Sequence, residues 1–168
     1  MSNVANFTQL VCKNVSGPGK NISDIFDIMM CKKGINSFSI CIFFTQILNE
    51  PNTPYDRYYY RVVLRRLGKR TNESKSYRVD NGVFWENEGS DINSDVENEL
   101  SRHRTTRPGY SGMLNINYEV NFEIEGFYEV DLYVKQMDEN ETEDSCEKMS
   151  VKDLQLVAIS PFQVLFDT

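Results

Sequence analysis

Several short segments of this sequence carry side chains that could perform chemistry. The only histidine, His103, lies in the run Ser101-Arg102-His103-Arg104, where a hydroxyl, a base and cations adjoin. A catalytic triad also needs an orienting acid and an oxyanion hole, and neither can be assigned in this polar segment. We therefore predict that the chain is not an enzyme, and that Arg102, His103 and Arg104 belong to an exposed binding surface.

The sequence offers weak candidates for a metal site. Asp91-x-Asn93-x-Asp95 places oxygen ligands at alternate positions, as the first half of a calcium loop does. Val96 stands where such a loop needs glycine, and Arg102 stands where it needs a bidentate acid. No C-x-x-C pair occurs among the cysteines, which are Cys12, Cys31, Cys41 and Cys146. We predict no metal and no cofactor.

A strand rich in tyrosine and arginine is the main candidate for binding. Its pattern puts Tyr58, Tyr60, Val62 and Leu64 on one face, so Arg61 and Arg65 should face water on the other. Arginine and tyrosine are enriched at binding hot spots, and a basic aromatic strand can also receive single-stranded nucleic acid. The alternative is a sheet surface whose tyrosines pack across strands. From this strand the predicted binding residues are Tyr59, Arg61, Arg65 and Arg66.

Charge is unevenly distributed along the chain. The net charge of −7 repels polyanions and makes general nucleic-acid binding an unfavoured function. A basic stretch over residues 57–70 is followed by acidic runs over residues 86–99 and 138–147. Such runs are usually solvated faces, so we predict surface loops there.

Nothing in the sequence indicates a membrane or a secretory route. No run approaches the ~20 apolar residues that span a bilayer, and residues 1–10 lack a basic region followed by an apolar one. Cys12 and Cys41 lie in apolar strand patterns, where free cysteine behaves as a small buried hydrophobe. We predict a cytoplasmic protein that does not contact membrane.

Alternation of apolar and polar residues predicts an all-β fold. It is strictest over residues 115–124, and it resumes after Gly126. A plain two-residue hairpin at Glu125-Gly126 would set Phe122 against Glu129, so the chain must add a loop residue or cross to a second sheet. A crossing is often marked by a tyrosine at the start of the next strand, as at Tyr128. We predict one antiparallel immunoglobulin-like β-sandwich of seven to nine strands over residues 1–168.

Other segments complete this prediction. Residues 22–31 suggest a strand, or a short helix, since apolar residues also fit a helical face. Asn81-Gly82 predicts a tight hairpin. Residues 87–109 form a polar insert loop that could carry a short helix, and residues 138–150 form an acidic loop. Residues 154–166 close the chain as a strand that Pro161 restricts to an edge or a change of sheet.

Several of these segments together resemble a bacterial family of single-domain immunoglobulin-like β-sandwich proteins of uncharacterised function. The resemblance rests on Ile25-Phe26-Asp27-x-Met29 after the opening strand and turn, on two core strands, and on the Gly-x-Tyr-x-x-x-Leu run from Gly126 to Leu132. It covers most of the chain outside residues 69–108. Ile124 departs from the family, which commonly has an acid there. The resemblance implies a fold and no activity.

The leading functional hypothesis is an intracellular protein-interaction module, with the polar insert as its contact surface. One alternative is a phage or mobile-element protein that acts on a defence system through its charged loops. Another is a nucleic-acid binder that uses the tyrosine- and arginine-rich strand. A protein partner is expected, and the sequence also allows a homo-oligomer through an edge strand.

Overall fold

The computed structural model of this chain describes residues 3–16, 21–50, 53–67, 75–86 and 109–167. The described residues contain nine strands and a short α-helix. In chain order the elements are β1 (Val4–Ser16), β2 (Asn21–Ile25), β3 (Ile28–Cys31), β4 (Gly34–Ile47), β5 (Tyr58–Leu67), β6 (Lys75–Phe84), β7 (Gly109–Phe122), β8 (Gly126–Gln136), α1 (Glu143–Glu147) and β9 (Gln155–Phe166). None of these residues forms a helix long and apolar enough to cross a membrane.

The strands form two sheets, which confirms the all-β prediction. One sheet has the order β2-β1-β4-β7 and the other has the order β3-β9-β8-β5-β6. The apolar faces predicted by alternation meet between them, where Phe38 and Ile40 of β4 and Leu132 of β8 are buried. β6 and β7 lie on the same side of the sandwich, since each ends its sheet among the described strands and both line one cavity.

The segment between β7 and β8 crosses from one sheet to the other. Since β7 pairs with β4 and β8 pairs with β5 and β9, the crossing predicted from Phe122 and Tyr128 is confirmed. The Tyr128 hydroxyl donates to the backbone oxygen of Ile124 at 2.7 Å. The Tyr128 ring also packs on Phe122, with 5.0 Å between centroids. This tyrosine corner ties the end of β7 in one sheet to the start of β8 in the other sheet.

The pattern of residues 22–31 suggested one strand or a short helix. The structure instead divides this segment between two strands that belong to different sheets. β2 pairs with β1 in one sheet, whereas β3 pairs in parallel with β9 in the other. The ladder with β3 begins at Gln163, just after Pro161. On the side of β9 that faces β3, the amide of Gln163 donates to the backbone oxygen of Asp27. The backbone of Pro161, two residues earlier in the strand, faces the same side. β9 lies between β3 and β8 and stays in one sheet, so the predicted edge strand or change of sheet is wrong for the strand as a whole. Proline is tolerated because, among the described residues, the ladder with β3 covers β9 only from Gln163 onward.

The hairpin predicted at Asn81-Gly82 is wrong. Both residues lie inside β6, where Asn81 is opposite Arg61 and Gly82 is opposite Tyr60. A Cβ atom at Gly82 would lie 2.8 Å from the Tyr60 ring. Glycine is therefore explained here by the close approach of an aromatic ring across the strands, and not by a turn.

The segment of residues 137–154, called the strap here, is more ordered than the acidic loop predicted for it. It contains α1, whose N-terminus is capped by Thr142, and a 3-10 turn at Val151–Asp153. Cys146 and Leu154 point from the strap into a small buried cluster on the outer face of the five-stranded sheet. The strap therefore covers part of that face.

Candidate functional site: the cleft along strand β7

The basic stretch predicted to face water is divided among separate environments. Arg61 is only 4% exposed. Its guanidinium donates to the backbone oxygens of Met149, Cys146 and Glu147 at 3.0–3.1 Å. Arg57 also reaches the strap, donating to the carbonyl of Asp138. The prediction that Arg61 faces water is therefore wrong, because the strap folds back over β5.

Tyr59 is also absent from the surface. It is 0% exposed and packs with Val63, Tyr133 and Met137 beneath the strap. Its hydroxyl accepts a hydrogen bond from Arg61 at 3.2 Å. Tyr59 and Arg61 thus anchor the strap and cannot form the binding surface expected from their residue types.

Arg65 lies farther along the same outer face, in a cluster with two acids. It pairs with Asp131 at 2.5 Å and with Glu129 at 3.5 Å. Burial, and then the neighbouring Asp131, raises the pKa of the Glu129 carboxyl above its ordinary value. The guanidinium is therefore committed to this cluster and is only partly exposed.

Arg66 points to the opposite face of β5 and lines a cleft between the sheets. The cleft has a volume of about 380 Å³, and its walls come from β5, β6, β7 and the corner residues. Lys75 is the cross-strand neighbour of Arg66 on β6. Tyr77, Tyr118 and Tyr128 add aromatic walls. The cleft is thus aromatic inside, and two cations from the five-stranded sheet share it with two glutamates, one on β7 and one just after it.

A second cavity, called the aromatic cavity here, lies farther along β7. It has a volume of about 330 Å³ and is lined in part by Phe44, Phe84, Trp85 and Leu114. Phe84 stacks on Phe44 with 4.4 Å between centroids. Trp85 is 3% exposed, and its buried Nε1–H has no hydrogen-bond partner among the residues that the structure describes. A buried donor without an acceptor is uncommon, which makes this cavity suited to a group that carries one.

Both cavities adjoin β7, which ends its sheet in the described part of the chain. Over all 14 of its residues β7 pairs with β4, and it has no second strand neighbour in the described part of the chain. In an antiparallel strand every second residue directs its N–H and C=O to the same side, so alternate residues of β7 direct theirs away from β4. The structure therefore combines an unpaired backbone edge with adjoining side-chain cavities.

Tyr118 and Tyr128 of the cleft are neutral donors near pH 7. Burial, and then the neighbouring Tyr77, raises the pKa of Tyr118 above its ordinary value. Burial also raises the pKa of Tyr128, although Arg66 opposes this. Neutral phenols in such a site offer hydrogen bonds and ring faces, and they are poor bases or nucleophiles.

Other predicted site residues cannot be placed. Arg102, His103 and Arg104 lie outside the described residues, as does the whole insert except Gly109, which begins β7. The Asp91-x-Asn93-x-Asp95 segment lies there too. Within the described ranges, no group of three or more His, Cys, Asp or Glu side chains could hold a metal ion.

Sequence reasoning missed Lys75, Tyr77, Tyr118 and Trp85 as members of a site. The alternation of β7 correctly put Tyr118 on the inner face, but it could not show that β7 ends its sheet. The sequence signal for a binding edge is that β7 is long and contains no proline, which leaves a continuous row of backbone groups along the strand.

Comparisons with known proteins add little to this geometry. No family model and no curated protein matches the chain. Among solved structures, a β-glucosidase from Listeria innocua in complex with isofagomine matches with a TM-score of 0.42 and 8% identity, over 95% of this chain and 16% of that one. An alkylpurine DNA glycosylase from Pseudomonas fluorescens, bound to DNA containing an abasic site analog, matches with a TM-score of 0.36 and 9% identity, over 95% of this chain and 30% of that one. At such TM-scores neither similarity supports a function.

Proposed function

We propose that this chain is a protein-interaction module without catalytic activity, which captures an extended segment of a partner along the free edge of β7. The observation that carries the proposal is the 14-residue strand β7, which among the described residues is paired on one side only and is bordered by cavities. In strand addition, main-chain hydrogen bonds supply affinity and pockets for alternate side chains supply specificity. Both features adjoin β7.

The cleft and the aromatic cavity would serve as the pockets. A strand added beside β7 alternately directs side chains toward the five-stranded sheet, where Arg66 and Tyr77 lie at one end and Trp85 lies at the other. Peptide backbone carries a carbonyl acceptor at every residue, so such a segment could also satisfy the indole N–H of Trp85.

Binding fits the side chains of the site better than catalysis does. The ionisable groups that line the cleft are the cations Arg66 and Lys75, two exposed glutamates, and tyrosines, of which Tyr118 and Tyr128 have a raised pKa. The cations and phenols recognise acceptors and anions, and a neutral phenol is a poor general base and a poor nucleophile near pH 7.

The proposal includes an immunoglobulin-like topology and a cytoplasmic location. The topology is supported by the tyrosine corner at the start of β8 and by the parallel pairing of β3 with β9. The location is supported by the buried thiols of Cys12 and Cys41, which form a hydrogen bond with 3.9 Å between their sulfurs and not a disulfide.

A selection from a random peptide library displayed on phage, with the purified chain immobilised, tests the function directly. We expect enriched peptides that slow hydrogen–deuterium exchange in β7, because an added strand satisfies amides that are otherwise exposed to solvent. Enrichment only of peptides that protect other strands, or no enrichment, would overturn strand addition at β7.

N-methylation of an enriched peptide provides a matched control. Methyl groups on every second amide block the hydrogen-bonding edge of a strand, and methyl groups on the remaining amides block its other edge. We expect one methylated form to bind like the parent peptide and the other to lose at least tenfold in affinity. Equal binding of both forms would show that the peptide does not join the sheet.

A further inference from the structure

We infer that the segment captured by β7 inserts a tyrosine side chain into the aromatic cavity, where its hydroxyl accepts a hydrogen bond from the indole N–H of Trp85. This inference rests on the proposed function and names the side chain that the cavity takes. Its basis is a buried indole donor that has no acceptor among the described residues and belongs to a residue lining a cavity beside β7.

An unusual backbone conformation places the indole in the core. Trp85 follows the last residue of β6 and has a φ of 62°, which is uncommon for a bulky residue. Successive side chains of a strand point to opposite faces, yet Phe84 and Trp85 both belong to the core between the sheets. The left-handed conformation therefore turns the indole inward. Burying its donor without an acceptor costs free energy that an apolar side chain would avoid.

The walls of the aromatic cavity offer the indole N–H few acceptors. Phe44, Phe84 and Leu114 are apolar, and the Tyr60 hydroxyl donates to Asp80 at 3.0 Å. A buried water molecule needs two to four polar partners to be held in place. Because the described walls consist mainly of rings and aliphatic groups, a ligand that carries its own acceptor on an apolar body complements this cavity better than water does.

The aromatic cavity reaches the backbone edges of β6 and β7. Leu114 packs in the core between the sheets, and the preceding residue, Met113, points to the other face of the sheet. Both residues line the cavity, as do the adjacent residues Val83 and Phe84 of β6. Residues on both faces of a strand border one cavity where that cavity lies beside the edge of the strand. A strand added beside β7 would therefore direct a side chain into it.

Tyrosine fits this cavity better than other side chains do. Its ring suits the aromatic walls, and its hydroxyl can accept from the indole and donate to the exposed carboxylate of Glu86, which lines the same cavity. Phenylalanine brings no acceptor, and tryptophan brings only a second donor. An acidic side chain would lose hydration beside the like charge of Glu86. Histidine, asparagine and glutamine would bury additional polar atoms among apolar walls.

Two small molecules test the contact without a peptide. p-Cresol has the ring and hydroxyl of a tyrosine side chain, and toluene has the same ring without the hydroxyl. Trp85 is the only tryptophan, so its indole N–H gives a single peak in a proton–nitrogen correlation spectrum of the whole chain. We expect p-cresol to move this peak downfield of its position with toluene, because the proton becomes hydrogen-bonded. Equal effects of the two molecules, including no effect of either, would overturn the inference.

Two peptides that differ by one hydroxyl test the tyrosine within an added strand. Both are nine residues long, acetylated and amidated, with valine alternating with lysine and with tyrosine or phenylalanine at the central position. Because their charge is equal, general attraction to the acidic protein cancels. We expect the tyrosine peptide to bind at least tenfold more tightly by isothermal titration calorimetry, since phenylalanine leaves the buried donor unpaired. Equal dissociation constants would overturn the inference.

Trp85→Phe removes the donor and keeps a ring in its place. We expect this variant to bind the two peptides with similar affinity. The matched control is Tyr133→Phe, which also removes one polar group from a buried ring, but beneath the strap, and should keep the tenfold preference. A preference for tyrosine that survives Trp85→Phe would overturn the inference. The p-cresol spectrum uses the unmodified chain, so it remains decisive if Trp85→Phe does not fold.

The outcomes separate this inference from the proposed function. If both peptides slow exchange of β7 amides and bind equally, strand addition holds and the inserted tyrosine is wrong. If p-cresol forms the hydrogen bond but neither peptide binds, a free phenol is the occupant and the inference is wrong, while the library selection decides strand addition independently. If that selection yields no peptide that protects β7, the proposed function fails and the inference fails with it.

Discussion

Arg61 of β5 donates from Nη2 to the backbone oxygen of Cys146 at 3.1 Å, so a strand of the sandwich is tied to the end of α1. The last carbonyls of a helix have no partner within the helix, and a cation is favoured beside them. The same guanidinium also reaches Glu147 and Met149. One buried side chain therefore satisfies several acceptors of the strap.

Arg61→Met should lower the free energy of unfolding by about 3 kcal/mol, because it removes the charge-assisted hydrogen bonds from one buried guanidinium to three carbonyls of the strap. Urea denaturation measures this change. The control is Arg78→Met, since Arg78 donates to the Glu147 carbonyl at 3.2 Å in an exposed position, and the substitution should cost less than about 0.5 kcal/mol. Similar losses in both variants would show that Arg61 does not anchor the strap.

Tyr128→Phe should lower the free energy of unfolding by about 1 kcal/mol, because it removes the hydrogen bond to Ile124 and keeps the ring in place. Thermal and urea denaturation measure the loss. Tyr77→Phe is the control, since the Tyr77 side chain is 48% exposed and should change stability little. A Tyr128→Phe protein as stable as the unmodified chain would contradict a stabilising corner.

Glu129→Gln should change the dependence of stability on pH. Burial and Asp131 raise the pKa of Glu129 in the folded chain, so the folded state holds this proton more tightly than the unfolded state does. The unmodified chain therefore loses stability as pH rises from the unfolded pKa, about 4.3, through the folded pKa. Glutamine removes this loss.

We therefore compare the free energy of unfolding of Glu129→Gln with that of the unmodified chain at each pH. The value for Glu129→Gln minus the value for the unmodified chain should be greater at pH 7.5 than at pH 4. Urea titrations of both proteins at the two pH values measure the difference. The opposite trend would mean that the ion pair with Arg65, at 3.5 Å, outweighs burial at this site.

Gly82→Ala should lower the free energy of unfolding by about 1–3 kcal/mol through overpacking. The Tyr60 ring cannot easily yield, because it stacks on Phe84 at 4.4 Å between centroids and its hydroxyl bonds to Asp80 at 3.0 Å. In a Tyr60→Leu background the same substitution should cost less, and a double-mutant cycle from urea denaturation gives the coupling. If the losses in free energy of unfolding from Gly82→Ala and Tyr60→Leu simply add, the substituted residue 82 does not press on the Tyr60 ring.

Much of the fold could be predicted from local pattern. Alternation places Tyr118 and Val120 on an inner face whatever the neighbouring strand is, because successive side chains of a strand point to opposite sides. The conflict between Phe122 and Glu129 in a simple hairpin, together with Tyr128, indicated the crossing between sheets. These inferences need only residues that are close in sequence.

The site depended on contacts between distant residues. Asn81-Gly82 has the composition of a turn, yet cross-strand packing against Tyr60 keeps it in β6. Arg66 and Tyr118 line one cleft only because β6 and β7 end their sheets on the same side. Strand order leaves no mark in the alternation of any single strand.

By itself, the sequence determined most of the long strands, which of their faces are apolar and where the chain crosses from β7 to β8. Only the tertiary structure decided that Arg61 is buried and that Arg66 lines a cleft. The physical reason is that an arginine can be satisfied by water or by backbone carbonyls, and every residue supplies a carbonyl. The acceptors of Arg61 come from a strap about 85 residues away, so no local pattern could reveal them.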